Sequence, residues 1–155
     1  MNRVYVRLAT LKDIEVIKTI VVSAYGPYCE RIGRKPAPMM DDYAKLIEAG
    51  SVWVISTNDL VVGFIVLQDQ SDHVFVNNVA VAPACHGQGF GRKLLDHAQD
   101  RACQRGVNEL RLYTNEKMHE NLAIYKKLGW HEYDRAAQDG FHRVFMRKSL
   151  IMDKK

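Results

Sequence analysis

The feature that most constrains this chain is a glycine-rich turn between a valine-rich strand and an amphipathic helix. Glycine occupies alternate positions in the turn, at Gly87, Gly89 and Gly91. Residues 73–81 before the turn favour a β-strand, and apolar residues over 94–102 recur at helical spacing. Such glycines let successive backbone N–H groups point into one concavity, with the positive end of the helix dipole behind them. The sequence therefore predicts a phosphate-binding turn.

Two common nucleotide motifs do not fit this turn. A Walker loop would end in Gly-Lys-Ser or Gly-Lys-Thr, but Gly91 is followed by Arg92 and Lys93. A dinucleotide fingerprint, Gly-x-Gly-x-x-Gly, would need a third glycine shortly after Gly89 and Gly91. The next glycine beyond Gly91 is Gly106, which is too far away. A purely structural turn is the remaining alternative, although three glycines are more than a tight turn requires.

Length and composition indicate one globular domain over residues 1–155. Of the 155 residues, 47% are hydrophobic and 26% are charged, the usual mixture of a globular protein, which excludes a disordered or low-complexity chain. No apolar stretch approaches the ~18 residues of a membrane span. Residues 1–7 lack the apolar segment of a secretion signal. We therefore expect a cytoplasmic protein with no membrane partner.

Charge and cysteine content narrow the class of ligand. The 22 Lys and Arg residues and the 18 Asp and Glu residues give a net charge of +4 and interleave along the chain. This pattern disfavours nucleic acid as a partner and suits an anionic small molecule. Cys29, Cys85 and Cys103 are too scattered for a disulfide framework or a zinc site, and no histidine pair has ligand spacing. We expect no metal.

The hydrophobic pattern over the rest of the chain predicts alternating strands and helices. The expected strands cover residues Val4–Leu8, 52–56, 61–67, 73–81, 110–113, 130–133 and 141–146. The expected helices run from a cap at Thr10 to Tyr25, over 41–49, from the glycine turn to Gly106, and from a cap at Asn115 to Gly129. Residues 26–38 are expected to form a loop because glycine and proline interrupt them. This order predicts a single α+β or α/β domain.

Two segments resemble motifs of the GNAT superfamily of N-acetyltransferases. Residues 78–95 are similar to that family's coenzyme A motif, Arg/Gln-x-x-Gly-x-Gly/Ala, preceded by a strand that ends in Ala-Val-x-Pro. Residues 112–130 resemble its second motif, which ends in Tyr-x-x-x-Gly-Phe and here ends in Tyr-Lys-Lys-Leu-Gly-Trp. The two segments follow each other in the family's order, and the resemblance extends over most of the chain.

The resemblance implies a fold and a co-substrate. The expected fold is α+β (α/β three-layer), with a GNAT-like mixed, mostly antiparallel sheet that is splayed at the cofactor strand and flanked by helices. Acetyl-CoA would pair its pantetheine arm with that strand and place its diphosphate on the glycine turn. The residues implied for cofactor binding are Val79, Ala80, Val81, Gly87, Gln88, Gly89, Phe90, Gly91, Arg92 and Asn121.

The sequence departs from the family pattern at two places. The first position of the coenzyme A motif is His86 instead of Arg or Gln, which weakens a side-chain contact to phosphate and leaves the backbone cradle intact. In the second motif, Met118 occupies the place of the usual Asn. Asn121, one helical turn before Tyr125, is a better substitute than Asn115 because both side chains would face the same way. A solvent-facing amide is the alternative role for Asn121.

Acetyl transfer needs a neutral amine and a proton for the departing thiolate. An amine of pKa ~10.4 is neutral in only about one molecule in 2,500 at pH 7, so a base or a water chain must take its proton. Tyr125 matches the family's thiolate-protonating tyrosine, and an ordinary core tyrosine is the alternative. The glutamate common on the family's cofactor strand is missing, since residues 76–78 are Val-Asn-Asn. Other candidate bases are Glu30, Asp41, Asp42, His73 and a water held by Asn77.

The resemblance favours a primary amine as acceptor, either a small molecule or an amino acid. Residues 26–42, which would wall the acceptor site, carry charges of both signs, and a solvated loop is the alternative. The missing strand glutamate favours a second function, a non-catalytic acyl-CoA-binding sensor. A nucleic-acid-associated protein is suggested only by the isoelectric point of about 9.0. A homodimer is frequent in the family, but the sequence identifies no interface.

Overall fold

A computed structural model describes residues 3–151 of the chain. Met1 and Asn2, part of the segment searched for a secretion signal, lie outside the described residues. The strands are β1 (Val4–Leu8), β2 (Val52–Thr57), β3 (Leu60–Asp69), β4 (Val74–Val81), β5 (Glu109–Asn115), β6 (His131–Gln138) and β7 (Phe141–Ser149). The helices are α1 (Ile14–Tyr25), α2 (Tyr28–Ile32), α3 (Tyr43–Glu48), α4 (Phe90–Arg105) and α5 (His119–Lys127).

The strands form a mixed sheet in the order β1-β2-β3-β4-β5-β7-β6. Strand β4 pairs in parallel with β5, whereas β1 with β2, β2 with β3, β5 with β7 and β6 with β7 are antiparallel. The ladder between β4 and β5 covers only Val74–Val76 and Leu110–Leu112, although β4 continues to Val81. The expected mixed, mostly antiparallel sheet is confirmed.

The first of two compact units comprises residues 3–67 and Asn78–His97. Strands β2 and β3 supply a nearly continuous apolar interior, with Val54, Phe64 and Ile65 fully buried. Helix α1 contributes Ile17, which is also fully buried. Gly63 allows β3 and β4 to approach closely, since a Cβ there would lie 2.8 Å from the carbonyl oxygen of Ala80. This packing fixes the second half of β4, which leads into the glycine turn.

The second unit comprises Gln68–Asn77 and the described residues from Ala98 to 151. One face of β5 and β7 is buried, and Leu110, Leu112 and Met146 lie on that face. Trp130 is buried directly after α5. The opposite face carries half-buried aromatic rings, among which Tyr113 lies 5.7 Å from Phe145 between ring centroids. Tyr125 of α5 packs against the buried Trp130, which holds the helix in this unit.

The structure corrects two local predictions. Residues 26–38, expected to be a loop, contain helix α2 and the start of a 3₁₀ turn over Ala37–Met40. Gly33, with φ of 89°, ends α2, because a left-handed residue caps a helix even one turn long. Asn115 does not cap the next helix, which begins at His119. Its Oδ1 instead accepts a hydrogen bond from the N–H of Lys117 at 2.9 Å, a local turn that competes with helix formation.

The structure confirms one further local prediction. The helix expected over 41–49 is present as the shorter α3, with Gly50 after its end at φ of 72°. The hairpin turns at Asn58–Asp59 and at residues 139–140 have positive φ at both central residues, the backbone shape of a type I′ turn. Among residues 3–151 there is no helix both long enough and apolar enough to cross a membrane.

Candidate functional site

The glycine turn has the backbone conformation expected of a ligand cradle. Gly87 and Gly89 have φ of 80° and 84°, in the left-handed region that side chains disfavour. A Cβ at either position would meet no atom within 4 Å. Both glycines are thus required by the backbone angle and not by crowding, and the space above them is open to a ligand.

Helix α4 begins immediately after these glycines. Backbone N–H groups in the first turn of a helix have no acceptor within the helix and lie at the positive end of its dipole. Phe90 is 5% exposed and anchors the turn in the core, whereas Gln88 and Arg92 are exposed. The N–H of Lys93 donates to the carbonyl of Gly89 at 3.1 Å, which closes the turn. This arrangement suits a diphosphate.

His86, the departure from the family motif, has a defined contact. Its Nε2 lies 2.9 Å from the carbonyl oxygen of Val81, so the tautomer with a proton on Nε2 donates to that carbonyl. The side chain thereby ties the start of the turn to the end of β4. Sequence reasoning treated His86 only as a lost phosphate contact and missed this bond, because no local pattern marks it.

The second half of β4 presents two carbonyls on the side away from β3. The N–H of Ala82 donates to the carbonyl of Val62 on β3 at 2.8 Å, so alternate residues face the other way. The backbone groups of Val79 and Val81 therefore point away from β3. The Val79 carbonyl lies 3.1 Å from the Tyr25 hydroxyl, and His86 contacts the Val81 carbonyl. The N–H groups of these two valines are the candidate donors to an extended ligand.

In the second unit, Tyr125 lies on α5 and is 9% exposed. Its ring packs on Trp130 with centroids 5.8 Å apart. Burial raises the pKa of the Tyr125 hydroxyl, so this group holds its proton more tightly than an exposed phenol does. The geometry fits both interpretations of Tyr125, a core residue and a proton donor.

Met118, which occupies the place of the usual Asn in the second motif, and Asn121, the expected substitute, differ in their surroundings. Met118 is 5% exposed, and the Thr114 hydroxyl lies 3.9 Å from its sulfur, so this side chain belongs to the core. Asn121 is half-buried on α5 and its backbone N–H donates to the Met118 carbonyl at 3.1 Å. Asn121 therefore remains the amide with partial access to a ligand.

The candidate bases are not equivalent. Asp42 caps α3, accepting from the N–H of Lys45 at 3.2 Å. His73 is bonded to Asp72, with 2.6 Å between Nδ1 and Oδ1. Asp41 is reached by solvent, yet the surrounding protein desolvates its carboxylate enough to raise its pKa. Glu30 is exposed on α2. Within residues 3–151 there is no group of His, Cys, Asp or Glu arranged to hold a metal ion.

Comparison with known sequences assigns more than half of the chain to one family. Residues 48–132 match the model described as an acetyltransferase (GNAT) domain. The S-alkylcysteine N-acetyltransferase of Bacillus subtilis is 28% identical over 160 residues, covering 96% of this chain and 90% of that protein. The ribosomal protein bS18 alanine N-acetyltransferase of Escherichia coli is 33% identical over 78 residues, covering 50% of this chain and 53% of that protein. The chain thus spans about half the length of the latter relative.

Solved structures share the fold. A PaiA N-acetyltransferase from Thermoplasma acidophilum, solved in complex with coenzyme A, superposes with a TM-score of 0.80 at 16% identity, covering 95% of this chain and 99% of that one. The ribosomal protein S18 alanine N-acetyltransferase of Escherichia coli gives a TM-score of 0.70 at 21% identity, covering 99% and 97%. At these identities the likeness is one of fold.

Proposed function

Because the chain belongs to the GNAT family of acetyltransferases, we propose that it is an acyl-CoA-dependent N-acetyltransferase, with residues 1–155 as a single domain. The observation that carries the proposal is the pair of left-handed glycines, Gly87 and Gly89, which open onto free space at the start of α4. Their conformation has a clear physical use in holding a diphosphate on backbone N–H groups.

Acetyl-CoA is the proposed co-substrate, and it supplies the acetyl thioester. The N–H groups over residues 87–92 would hold its diphosphate, with the Arg92 guanidinium adding positive charge. The N–H groups of Val79 and Val81 would pair with its pantetheine amides, one strand edge recognising an extended ligand. Gln88, Phe90, Gly91, Ala80 and Asn121 complete the proposed binding set.

The proposed acceptor is the primary amine of an amino acid. Both named relatives act on nitrogen of an amino-acid unit, one on alanine of a ribosomal protein and the other on S-alkylcysteine. The S-alkylcysteine enzyme matches 96% of this chain, against 50% for the alanine enzyme. This difference in coverage favours a small molecule over a protein terminus.

Two side chains carry the proposed proton transfers. Asp41 would accept the proton of the ammonium group, because a carboxyl with a raised pKa is a stronger base than an ordinary one. The Tyr125 hydroxyl would give its proton to the departing thiolate. A backbone N–H near Val81 would stabilise the developing oxyanion.

Two glycine variants test cofactor binding with a matched control. Gly89 and Gly50 both have positive φ and open space where a Cβ would stand, so alanine strains the backbone equally at both sites. Gly89→Ala is expected to raise the Kd for coenzyme A by ~10-fold or more, measured by calorimetry, because the diphosphate loses its cradle. Gly50→Ala should leave the Kd unchanged. Equal affinity in both variants would contradict the proposed cradle.

A thiol-release assay with acetyl-CoA separates enzyme from sensor. Release of free coenzyme A with S-alkylcysteines or other amino acids supports the acetyltransferase. Release only with peptides that begin with alanine moves the acceptor to a protein terminus. Binding of coenzyme A without release for any amine supports the acyl-CoA-binding sensor, which the missing strand glutamate favours.

A further inference from the structure

Three buried polar side chains from separate elements meet at strand β4. They are Tyr25 of α1, Tyr43 of α3 and Asn78 of β4, with exposures of 8%, 3% and 4%. The Tyr25 hydroxyl contacts Oδ1 of Asn78 and lies 3.1 Å from the carbonyl of Val79. Asn78 Nδ2 donates to the Tyr43 oxygen at 2.8 Å. The Tyr43 hydroxyl donates to the carbonyl of Pro38 at 2.6 Å.

The hydrogens of this network can be arranged in one consistent direction. The Asn78 Nδ2 group can only donate, so the Tyr43 oxygen accepts there and its own hydrogen is left for Pro38. The Tyr25 hydrogen then serves Oδ1 of Asn78 and the Val79 carbonyl. Turning the amide over would bring the Tyr43 hydrogen to Asn78 and leave the Pro38 carbonyl without it. The hydroxyl groups of Tyr25 and Tyr43, the amide of Asn78 and the carbonyl of Pro38 thus each have a hydrogen-bond partner in a single arrangement.

The two ends of the network lie at parts of the proposed site that must be held at a fixed separation. One end is the backbone of Val79, a proposed partner of the pantetheine arm. The other end is Pro38, in the segment of residues 36–42 that also contains the proposed base Asp41. Because attack on a thioester requires the reacting atoms to be close and aligned, a small shift of one end relative to the other should reduce productive binding of the acceptor.

We propose that Tyr25, Tyr43 and Asn78 form a positioning network for the amine acceptor, which holds residues 36–42 in a fixed place against strand β4. This role rests on the proposed acetyltransferase function and adds an acceptor-side determinant to it. An apolar cluster could fill the same space without the cost of burying three polar groups. The polar network instead fixes a unique geometry, which suits a segment that must present an acceptor in one orientation.

Single hydroxyl deletions test the network. Tyr43→Phe and Tyr25→Phe each remove one oxygen and keep the ring, and Tyr5→Phe makes the same change at an exposed tyrosine on β1 as the control. In both network variants we expect the KM for the acceptor to rise by ~10-fold or more, while the Kd for coenzyme A stays within about 2-fold. The control should change neither constant. An equal change in both constants would overturn the acceptor-specific role.

Hydrogen exchange supplies a readout that needs no acceptor. The N–H of Met39 donates to the carbonyl of Pro36 at 3.0 Å, so its exchange reports on the order of this segment. Residues 37–42 should exchange faster in Tyr43→Phe and Tyr25→Phe than in Tyr5→Phe. Unchanged exchange would refute the anchoring. If one network variant fails to fold, the other carries both measurements.

The outcomes separate this inference from the proposed function. A wild-type protein that releases no thiol with any amine refutes the proposed function, and the positioning role with it. Normal wild-type turnover, with faster exchange but an unchanged acceptor KM in the variants, refutes the positioning role alone. A loss of thermal stability without either kinetic change identifies the network as purely structural.

Discussion

The glycine turn and helix α5 carry their chemistry in opposite ways. In the turn, the backbone itself forms the candidate site, and Gly87 and Gly89 are needed because of their positive φ. On α5, the candidate for the reaction is a side chain, that of Tyr125, whose packing against Trp130 is also typical of a core residue. A site made of backbone leaves a mark in the sequence, because Gly87 and Gly89 take positive φ directly before a helix begins, whereas the left-handed Gly33 and Gly50 stand where helices end. A site made of a buried side chain does not.

The largest effect is expected at Asp41, the proposed base, which lies in neither the glycine turn nor α5. Asp41→Asn is expected to lower kcat/KM by ~100-fold near neutral pH, the usual worth of a general base. A base acts in its deprotonated form, so wild-type activity should fall as pH drops through the raised pKa of this carboxyl. The acidic limb of the pH–rate profile should therefore disappear in the variant.

Stability provides the second readout at Asp41. A raised pKa means that the folded protein holds the Asp41 proton more tightly than the unfolded chain does. Stability is therefore lost as pH rises above the pKa of an ordinary aspartate and through the raised pKa of the folded state, because the carboxylate then ionises at the expense of folding. Asp41→Asn should consequently keep or raise Tm at neutral pH while activity falls. A parallel loss of Tm and activity would point to a structural carboxylate instead. Asp42→Asn, which removes the neighbouring charge and keeps an oxygen that can cap α3, serves as the control.

A Tyr125 variant tests whether α5 contributes a proton donor to the reaction. Tyr125→Phe is expected to lower kcat by ~10-fold or more and to leave the Kd for coenzyme A nearly unchanged, because only the proton donor is lost. Steady-state kinetics and calorimetry measure the two constants. Tyr133→Phe, at an exposed tyrosine of the same unit, should behave as wild type. Full turnover in Tyr125→Phe would leave the residue as a packing tyrosine.

Gly63 sharpens the contrast between two kinds of glycine. A Cβ at Gly63 would lie 2.8 Å from the Ala80 carbonyl oxygen, whereas a Cβ at Gly87 meets nothing within 4 Å. Gly63→Ala should therefore destabilise the fold by ~1–3 kcal/mol through overpacking, measured by denaturant unfolding. A Gly63→Ala protein as stable as wild type would show that β3 and β4 can separate without cost.

His86 gives the smallest expected effect. His86→Gln restores the residue type common in the family motif and offers an amide toward phosphate. The Kd for coenzyme A should fall by ~2–5-fold, the scale of one added hydrogen bond at an exposed site. His86→Ala is the control that removes the Val81 contact without adding a donor. A higher Kd in His86→Gln would mean that the hydrogen bond to Val81 contributes more to coenzyme A binding than a phosphate contact does.

Local pattern predicted the parts of the fold that depend on neighbours in sequence. Valine-rich strands and the buried face of α4 are marked by residues a few positions apart. Helix α2 was missed because proline and glycine at its two ends conceal a single helical turn. Asn115 was wrongly predicted to cap a helix, since the same side chain can instead close a local turn.

Contacts between distant residues could not be predicted in this way. Tyr25 and Asn78 are 53 positions apart, and Tyr43 and Asn78 are 35 positions apart. No periodicity links them, because their meeting depends on where two helices pack on the sheet. The resemblance to a family implied candidate cofactor residues in the turn, but it could not indicate the proposed acceptor-side network, whose contacts join residues far apart in the sequence.

The bond between His86 and Val81 has a practical use. A hydrogen bond from Nε2 to the Val81 carbonyl favours the His86 tautomer that carries its proton on Nε2, and the two ring nitrogens of each tautomer have distinct ¹⁵N chemical shifts. Any molecule that occupies the edge of β4 and takes the Val81 carbonyl for itself would release the ring to exchange between tautomers. The protein thus contains a native spectroscopic reporter at the entrance to its glycine turn, readable by NMR without an attached probe.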